Sequence, residues 1–116
     1  TISEILEHVM TSTHRVTNLI SELAIGNTGD ASDIDPPRET AILNIDELRK
    51  GLLDGAFKWT SMTGNLPVMP NMNQMSNHSF FGDLHAGAWY LFQRVHDLDH
   101  LNQIRNNKSH ANYPNI

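Results

Sequence analysis

Two histidines that lie four residues apart, His96 and His100, are the residues whose types and spacing most clearly suggest chemistry in this chain. On a helix, residues at this spacing lie one above the other, with Cβ atoms roughly 5–6 Å apart. Two imidazoles in this position can reach one metal ion. Because the chain has no cysteine, thiolate ligands and a cysteine nucleophile are excluded, and histidine, carboxylate or water must hold such an ion.

A third ligand is needed for a typical catalytic site, in which three protein side chains leave one position open for water. His8 is the best candidate, because it borders the apolar stripe of the first predicted helix. The alternative for His8 is a boundary histidine that forms a hydrogen bond with a neighbouring helix. His14 lies toward the polar side of the same helix. Three further histidines are interpreted as solvated or capping residues: His78, His85 and His110.

Three helices must position these histidines, because apolar residues recur at helical spacing in three long segments. The predicted helices span about residues 2–23, 45–61 and 84–106. The intervening segments 26–43 and 62–83 contain many turn-forming residues and are predicted to be loops. No segment alternates with a period of two for long enough to predict a strand. The sequence therefore predicts an all-α, up-down helical bundle over residues 1–106, followed by a polar tail over 107–116.

The ends of the predicted helices carry capping signals. Thr1 and Glu4 fit a capping box at the start of the first helix. Asn44 and Asp83 are the predicted N-caps of the second and third helices. Gly26 lies where the end of the first helix requires a left-handed residue.

The third predicted helix carries two neighbouring stripes of side chains. One consists of Ala88, Leu91, Val95 and Leu98, and the other of Trp89, Phe92, His96, Asp99, His100 and Gln103. Such wide apolar faces favour a fourth helix as a packing partner. In the second predicted helix, the four-residue spacing of Gly51 and Gly55 would allow another helix to approach closely.

The composition argues against several functional classes. The net charge is −5, and the 8 lysines and arginines are scattered, so no basic surface for nucleic acid is expected. No apolar stretch approaches the roughly 18–20 residues of a membrane span, and no signal peptide is evident. We therefore expect a cytoplasmic protein that binds neither nucleic acid nor membranes.

Segments near the two ends of the chain resemble the DinB-like superfamily. Residues 3–9, Ser-Glu-Ile-Leu-Glu-His-Val, are similar to the S-x-x-E-x-L-x-H-x signature that opens the second helix of that family. Residues 77–84 resemble its H-P-x-x-G-x-L motif. Residues 89–104 resemble the last helix, which has a Trp followed by H-x-x-x-H-x-x-Q. The resemblance covers nearly all of residues 1–105.

The resemblance implies a four-helix bundle in which His8, His96 and His100 bind a divalent metal ion. Zinc and nickel are favoured among the ions that imidazole binds. Some members of the family are S-transferases that use bacillithiol, mycothiol or glutathione, and others resemble hydrolases or isomerases. A transferase or hydrolase that acts on a small molecule, with a low-molecular-weight thiol as a possible co-substrate, is therefore expected.

Other side chains near the predicted ligands could support such a site. Carboxylates that accept the second N–H of a ligating imidazole would orient the ring, and Glu4, Glu7 and Asp99 are candidates. The alternative is a capping role for Glu4 and a solvated position for Asp99. Trp89 and Phe92 are candidates to line a substrate pocket, and plain core packing is the alternative for both.

The chain departs from the family pattern in two ways. Members usually have a further helix before the segment that begins at Ser3, which predicts either an upstream segment or a second subunit that completes the bundle, as in a homodimer. Ser79 also stands where the family often has proline, which affects only a loop conformation.

Two other classes of helical bundle are alternatives to a mononuclear three-histidine enzyme. A di-iron bundle needs a Glu from each of two helices and Glu-x-x-His from the other two, and only Asp97 with His100 approaches that pattern. A non-catalytic bundle, with a binding or stress-related role and a structural or vestigial metal site, remains a real alternative.

Overall fold

The computed structural model describes residues 2–29 and 43–109. Within them the chain forms three helices, α1 (Ile2–Ala24), α2 (Ile45–Gly64) and α3 (Ala86–Lys108), and two strands, β1 (Ser76–His78) and β2 (Gly82–Leu84). The predicted helices are thus confirmed. The prediction of no strands is wrong, because strands of three residues are too short to show a period of two. The predicted cap at Thr1, His110 and most of the predicted tail lie outside the described residues.

The N-cap residue predicted from the sequence is correct for α2 and wrong for α3. The Asn44 side chain accepts a hydrogen bond from the Glu47 N–H and donates one to the Glu47 carboxylate, each at 2.9 Å. The predicted cap of α3 at Asp83 is wrong, because Asp83 lies in β2, paired with Asn77 of β1. His85 caps α3 instead, and its Nδ1 accepts a backbone N–H of the first turn at 3.1 Å.

Helices α1 and α2 run in the same direction. Met10 of α1 lies against Gly51 of α2, and His14, one turn further along α1, lies against Gly55, one turn further along α2. The predicted up-down arrangement is therefore wrong for this pair. The connection between the helices is long enough for the chain to return to the beginning of a parallel neighbour. The predicted close approach is confirmed at Gly51, where a Cβ would overlap Met10 Sδ, whereas a Cβ on Gly55 would make only ordinary contacts.

Helices α1 and α3 run in opposite directions. His8, near the start of α1, contacts His100, near the end of α3. Thr13, later in α1, contacts Gln93, earlier in α3. Because α2 and α3 each pack along α1 and touch one another little, α1 is the central helix of the three.

The core surrounds the second half of α1. Its buried members are Val16, Leu19, Ile20, Leu23, Ala24, Met62, Ala86 and Trp89. The predicted stripe of α1 supplies four of them. Met62, predicted to lie in a loop, belongs to the last turn of α2. Gly26 ends α1 with a φ of 88°, as its left-handed position predicts. No helix among the described residues is both long and apolar enough to cross a membrane.

The two stripes of α3 have different surroundings. The stripe with the histidines faces α1, and Trp89 and His100 in it are buried. The opposite face carries Leu91, Val95 and Leu98, which are exposed and are called here the outer stripe.

Candidate metal centre

Helices α1 and α3 bring the three predicted ligand residues together. The ring centroid of His8 lies 5.7 Å from that of His96 and 5.0 Å from that of His100, and the last two are 4.3 Å apart. Each residue offers one nitrogen, and these nitrogens lie within 4.8 Å of one another. His100 is buried, whereas the other two are half-buried. The cluster therefore lies at the border between the helix contact and solvent.

One nitrogen pair of the cluster has a separation that suits a shared ion. Nε2 of His96 and Nε2 of His100 are 3.1 Å apart. Two nitrogens bound to one ion at 2.0–2.1 Å are about 2.9 Å apart at a right angle and about 3.4 Å apart at the tetrahedral angle. The observed distance falls between these values, so this histidine pair fits a divalent ion with only small movements.

Gln103 orients one of the three imidazoles. His100 Nδ1 lies 2.6 Å from Gln103 Oε1. Since an amide oxygen only accepts hydrogen bonds, the Nδ1–H of His100 donates, and its Nε2 is the nitrogen that faces His96. Sequence reasoning placed Gln103 on the same stripe but gave it no role in the site. The available signal was its three-residue spacing from His100, which brings two side chains together on a helix.

The carboxylates predicted to support the ligands differ in their surroundings. Glu4 lies one turn before His8 on α1, and both Glu4 and Glu7 are half-buried. Asp99, by contrast, is exposed on α3. Glu4 and Glu7 are thus the predicted acidic residues that lie partly inside the protein near the cluster.

The two aromatic residues predicted to line a pocket lie at different depths. The ring centroid of Phe92 is 5.5 Å from that of His96, so Phe92 borders the histidine cluster. Trp89 lies one turn earlier in α3, is fully buried, and packs edge-on against Phe92 at 5.5 Å. Phe92 is therefore positioned to contact a molecule at the cluster, whereas Trp89 supports it from the core.

A buried histidine holds the β-hairpin against α3. His78 Nδ1 accepts hydrogen bonds from the backbone N–H groups of Phe80, at 3.0 Å, and Phe81, at 3.3 Å. Its ring centroid lies 4.5 Å from that of Phe92. His78, predicted to be a solvated or capping residue, is buried, and its imidazole binds the turn between β1 and β2. The hairpin thereby fixes the aromatic ring that borders the cluster.

His14 is engaged elsewhere. Lys58 Nζ lies 3.4 Å from His14 Nδ1, and His14 Nε2 lies 3.4 Å from the carbonyl oxygen of Gly51. Because the ammonium group can only donate, Nδ1 accepts and Nε2–H donates. Both ring nitrogens of His14 therefore bind groups of α2.

A buried polar group ties α1 to α3 one turn from the cluster. Gln93 is fully buried. Its Nε2 donates to Asp97 Oδ1 at 2.8 Å and to Thr13 Oγ1 at 3.5 Å. Partial loss of hydration raises the pKa of Asp97, and the hydrogen bond from Gln93 offsets part of this effect. The contact between α1 and α3 is thus polar over two successive turns.

The chain matches no family model, and neither a curated protein nor a solved structure is detectably similar to it. Its function must therefore be inferred from its own residues. The features that matter most are three imidazoles from two antiparallel helices and a glutamine that orients one of them.

Proposed function

We propose that this protein is a cytoplasmic metalloprotein of the DinB-like type, in which His8, His96 and His100 bind one divalent ion, zinc or nickel, and that it acts on a small molecule. The observation that carries the proposal is the convergence of these three imidazoles. An ion with three protein ligands keeps at least one coordination position open, which is typical of catalytic rather than structural sites.

The arrangement of the chain supports the DinB-like four-helix type. The two segments that resemble the family motifs, residues 3–9 and 77–104, are far apart in the sequence, and their histidines meet in space. Residues 77–84, which resemble the H-P-x-x-G-x-L motif before the last helix, lie in the hairpin that packs on Phe92, beside the cluster. In this proposal a fourth helix, from an upstream segment or another subunit, completes the bundle.

The residues around the cluster suggest how the chain would serve the reaction. A bound divalent ion supplies Lewis-acid chemistry, which polarises a substrate oxygen or favours the thiolate form of a thiol. His100 is held in the ligating tautomer by Gln103, and Phe92 offers an apolar wall. Because the chain contains no cysteine, a reacting thiol has to come from a co-substrate. The resemblance to the DinB-like superfamily makes a thiol-dependent transferase one candidate reaction class and a hydrolase the other.

Metal content tests the first half of the proposal. The protein should be purified without a histidine tag from cells grown with added zinc and nickel, and its metal measured by mass spectrometry. We expect close to one equivalent of a single divalent ion, and loss of that ion in His96→Ala. Less than about 0.1 equivalent in the unmodified protein, after such growth, would rule out a specific site of this kind.

Turnover tests the second half. Metal-loaded protein is mixed with small thiols and electrophiles, and separately with simple esters and amides. We expect product formation that disappears both in His100→Ala and after chelation. A fully loaded protein without turnover on either group would favour the alternative, a non-catalytic bundle with a structural or vestigial ion. Turnover that survives His100→Ala would not come from this site.

A further inference from the structure

Helix α3 packs one face against α1 and leaves an apolar stripe on its opposite face exposed. The outer stripe is 67% exposed at Leu91, 66% at Val95 and 59% at Leu98. No part of the chain that the structure describes shields these side chains. Contiguous apolar side chains along a helix mark a binding surface more often than isolated ones do.

The spacing of the outer stripe is that of a coiled-coil seam. Leu91, Val95 and Leu98 are separated by four and then three residues, which places the leucines at d positions and Val95 at an a position. Asn102 occupies the next a position. Within parallel coiled coils, a β-branched residue at a with leucine at d favours two strands over three or four, and a single asparagine at a specifies register and oligomer state. The stripe is therefore suited to a second copy of itself.

The charges beside the seam favour a parallel pair. Arg94 and Asp99 are exposed and occupy the g and e positions that flank it. In a parallel pair, a g residue lies beside the e residue of the following heptad on the other helix, so Arg94 of each copy meets Asp99 of the other. In an antiparallel pair, g meets g and e meets e, and these opposite charges do not pair.

We propose that the outer stripe is a self-association surface through which two copies of this chain pair their α3 helices in parallel, around a two-fold axis. The faces of α3 that carry His96 and His100 then point away from the seam. The dimer is therefore independent of the histidine cluster and of any metal bound there. Because the seam is short, the interface is small, and a weak, concentration-dependent dimer is expected.

Sedimentation velocity on the 116-residue chain, from about 10 to 500 µM, tests the proposal in the range expected for a small interface. We expect a reversible equilibrium between monomer and dimer that a chelator does not change. Insensitivity to the chelator separates this result from the proposed metal function. A chain that stays monomeric over the whole range overturns the proposal.

A matched pair of substitutions locates the interface. Leu98 and Leu53 have the same side chain and the same exposed fraction, 59%, but lie on α3 and α2 respectively. We expect Leu98→Glu to raise the dissociation constant at least about tenfold, as for a central interface residue, and Leu53→Glu to leave it unchanged. Circular dichroism verifies that both variants remain helical. Equal effects of the two substitutions, or none, would place any dimer interface elsewhere.

A charge exchange tests the parallel orientation. Arg94→Glu and Asp99→Arg each place like charges beside one another in a parallel dimer, so each variant alone should associate less than the unmodified chain. An equimolar mixture of the two restores both opposite-charge pairs and should associate more strongly than either variant alone. No gain on mixing contradicts the parallel pair.

Cross-linking provides a second test of orientation, because the chain has no cysteine of its own. In a parallel seam each d residue faces its own copy, at a distance that a disulfide can span. Leu91→Cys and Leu98→Cys should therefore each oxidise to a disulfide-linked dimer. If instead only a mixture of the two variants yields cross-linked product, the helices are antiparallel and the proposal is wrong.

Discussion

The two histidines of α1 that the structure describes lie in different helix contacts, one with α3 and the other with α2. His8 faces α3 and lies ring to ring with two other histidines. His14 faces α2, where Lys58 and the carbonyl oxygen of Gly51 bind its two nitrogens. Both are half-buried histidines on one helix. The comparison teaches that the neighbouring element, and not the residue type or its burial, separates a candidate ligand from a structural histidine.

The two contacts of α1 also differ in what they bury. At α2, Gly51 lets the helices approach closely. At α3, the contact buries Gln93 and His100. Buried polar groups cost free energy unless they are satisfied, so a contact that retains them over successive turns departs from what packing alone favours. Departures of this kind concentrate at functional sites.

The largest expected effect is a loss of zinc affinity when His8 is replaced by alanine, with the same substitution at His14 as the control. His8→Ala removes one of three proposed ligands and should weaken zinc binding at least about a hundredfold, more than loss of a residue that only orients a ligand. His14→Ala should leave zinc binding nearly unchanged. Competition with a chromophoric chelator measures both affinities. Equal losses in the two variants would erase the proposed distinction between the two contacts.

The next largest effect is a loss of zinc affinity when Gln103, which orients His100, is replaced. Gln103→Ala removes the acceptor of the Nδ1–H, so the ring no longer has a fixed tautomer. We expect zinc affinity to fall about 10–100-fold, as for other groups that orient metal ligands. Asn102→Ala, at the exposed neighbouring position, is the control and should have no effect on zinc affinity. If Gln103→Ala binds zinc as well as the control does, the orienting role is wrong.

The sequence predicted the helices and the pairing of His96 with His100 because both have short-range signals. Apolar residues at helical spacing gave α1, α2 and α3 to within a few residues, and Asn44 with Glu47 gave a correct cap. The spacing of His96 and His100 specified one face of a helix. His8 lies on a distant segment. Its position beside the apolar stripe of α1 made it a candidate, and the resemblance to the DinB-like superfamily strengthened that expectation.

Other features depend on long-range contacts that periodicity does not encode. The direction of α2 relative to α1 follows from packing at Gly51 and Gly55, and a helical pattern is the same in either direction. Both stripes of α3 are apolar, so the pattern could not show that Leu91 would be exposed and Trp89 buried. The hairpin forms because His78 binds its turn and packs on α3, which no alternation signals.

A smaller effect, on the free energy of unfolding, is expected at Gly51, where α2 lies close to Met10 of α1. In Gly51→Ala the new methyl group would overlap Met10 Sδ, and the strain should outweigh the gain in helix propensity, for a net loss of about 1 kcal/mol in the free energy of unfolding. In a Met10→Ala background the overlap is absent, so the same substitution should become stabilising. Urea denaturation of the four chains measures the coupling. Additive effects would show that Met10 does not limit the approach.

The smallest effect, with the opposite sign, is expected one turn further along α2. A Cβ on Gly55 would lie 3.5 Å from His14 Nε2 and 3.6 Å from Thr13 Cγ2, which are ordinary contact distances. Gly55→Ala should therefore keep the packing, gain helix propensity, and stabilise the protein by up to about 1 kcal/mol. Urea denaturation of the single variant tests this. A destabilised Gly55→Ala would mean that the helices are as tightly packed at His14 as at Met10, and that His14 is held by the steric fit as well as by its two hydrogen bonds.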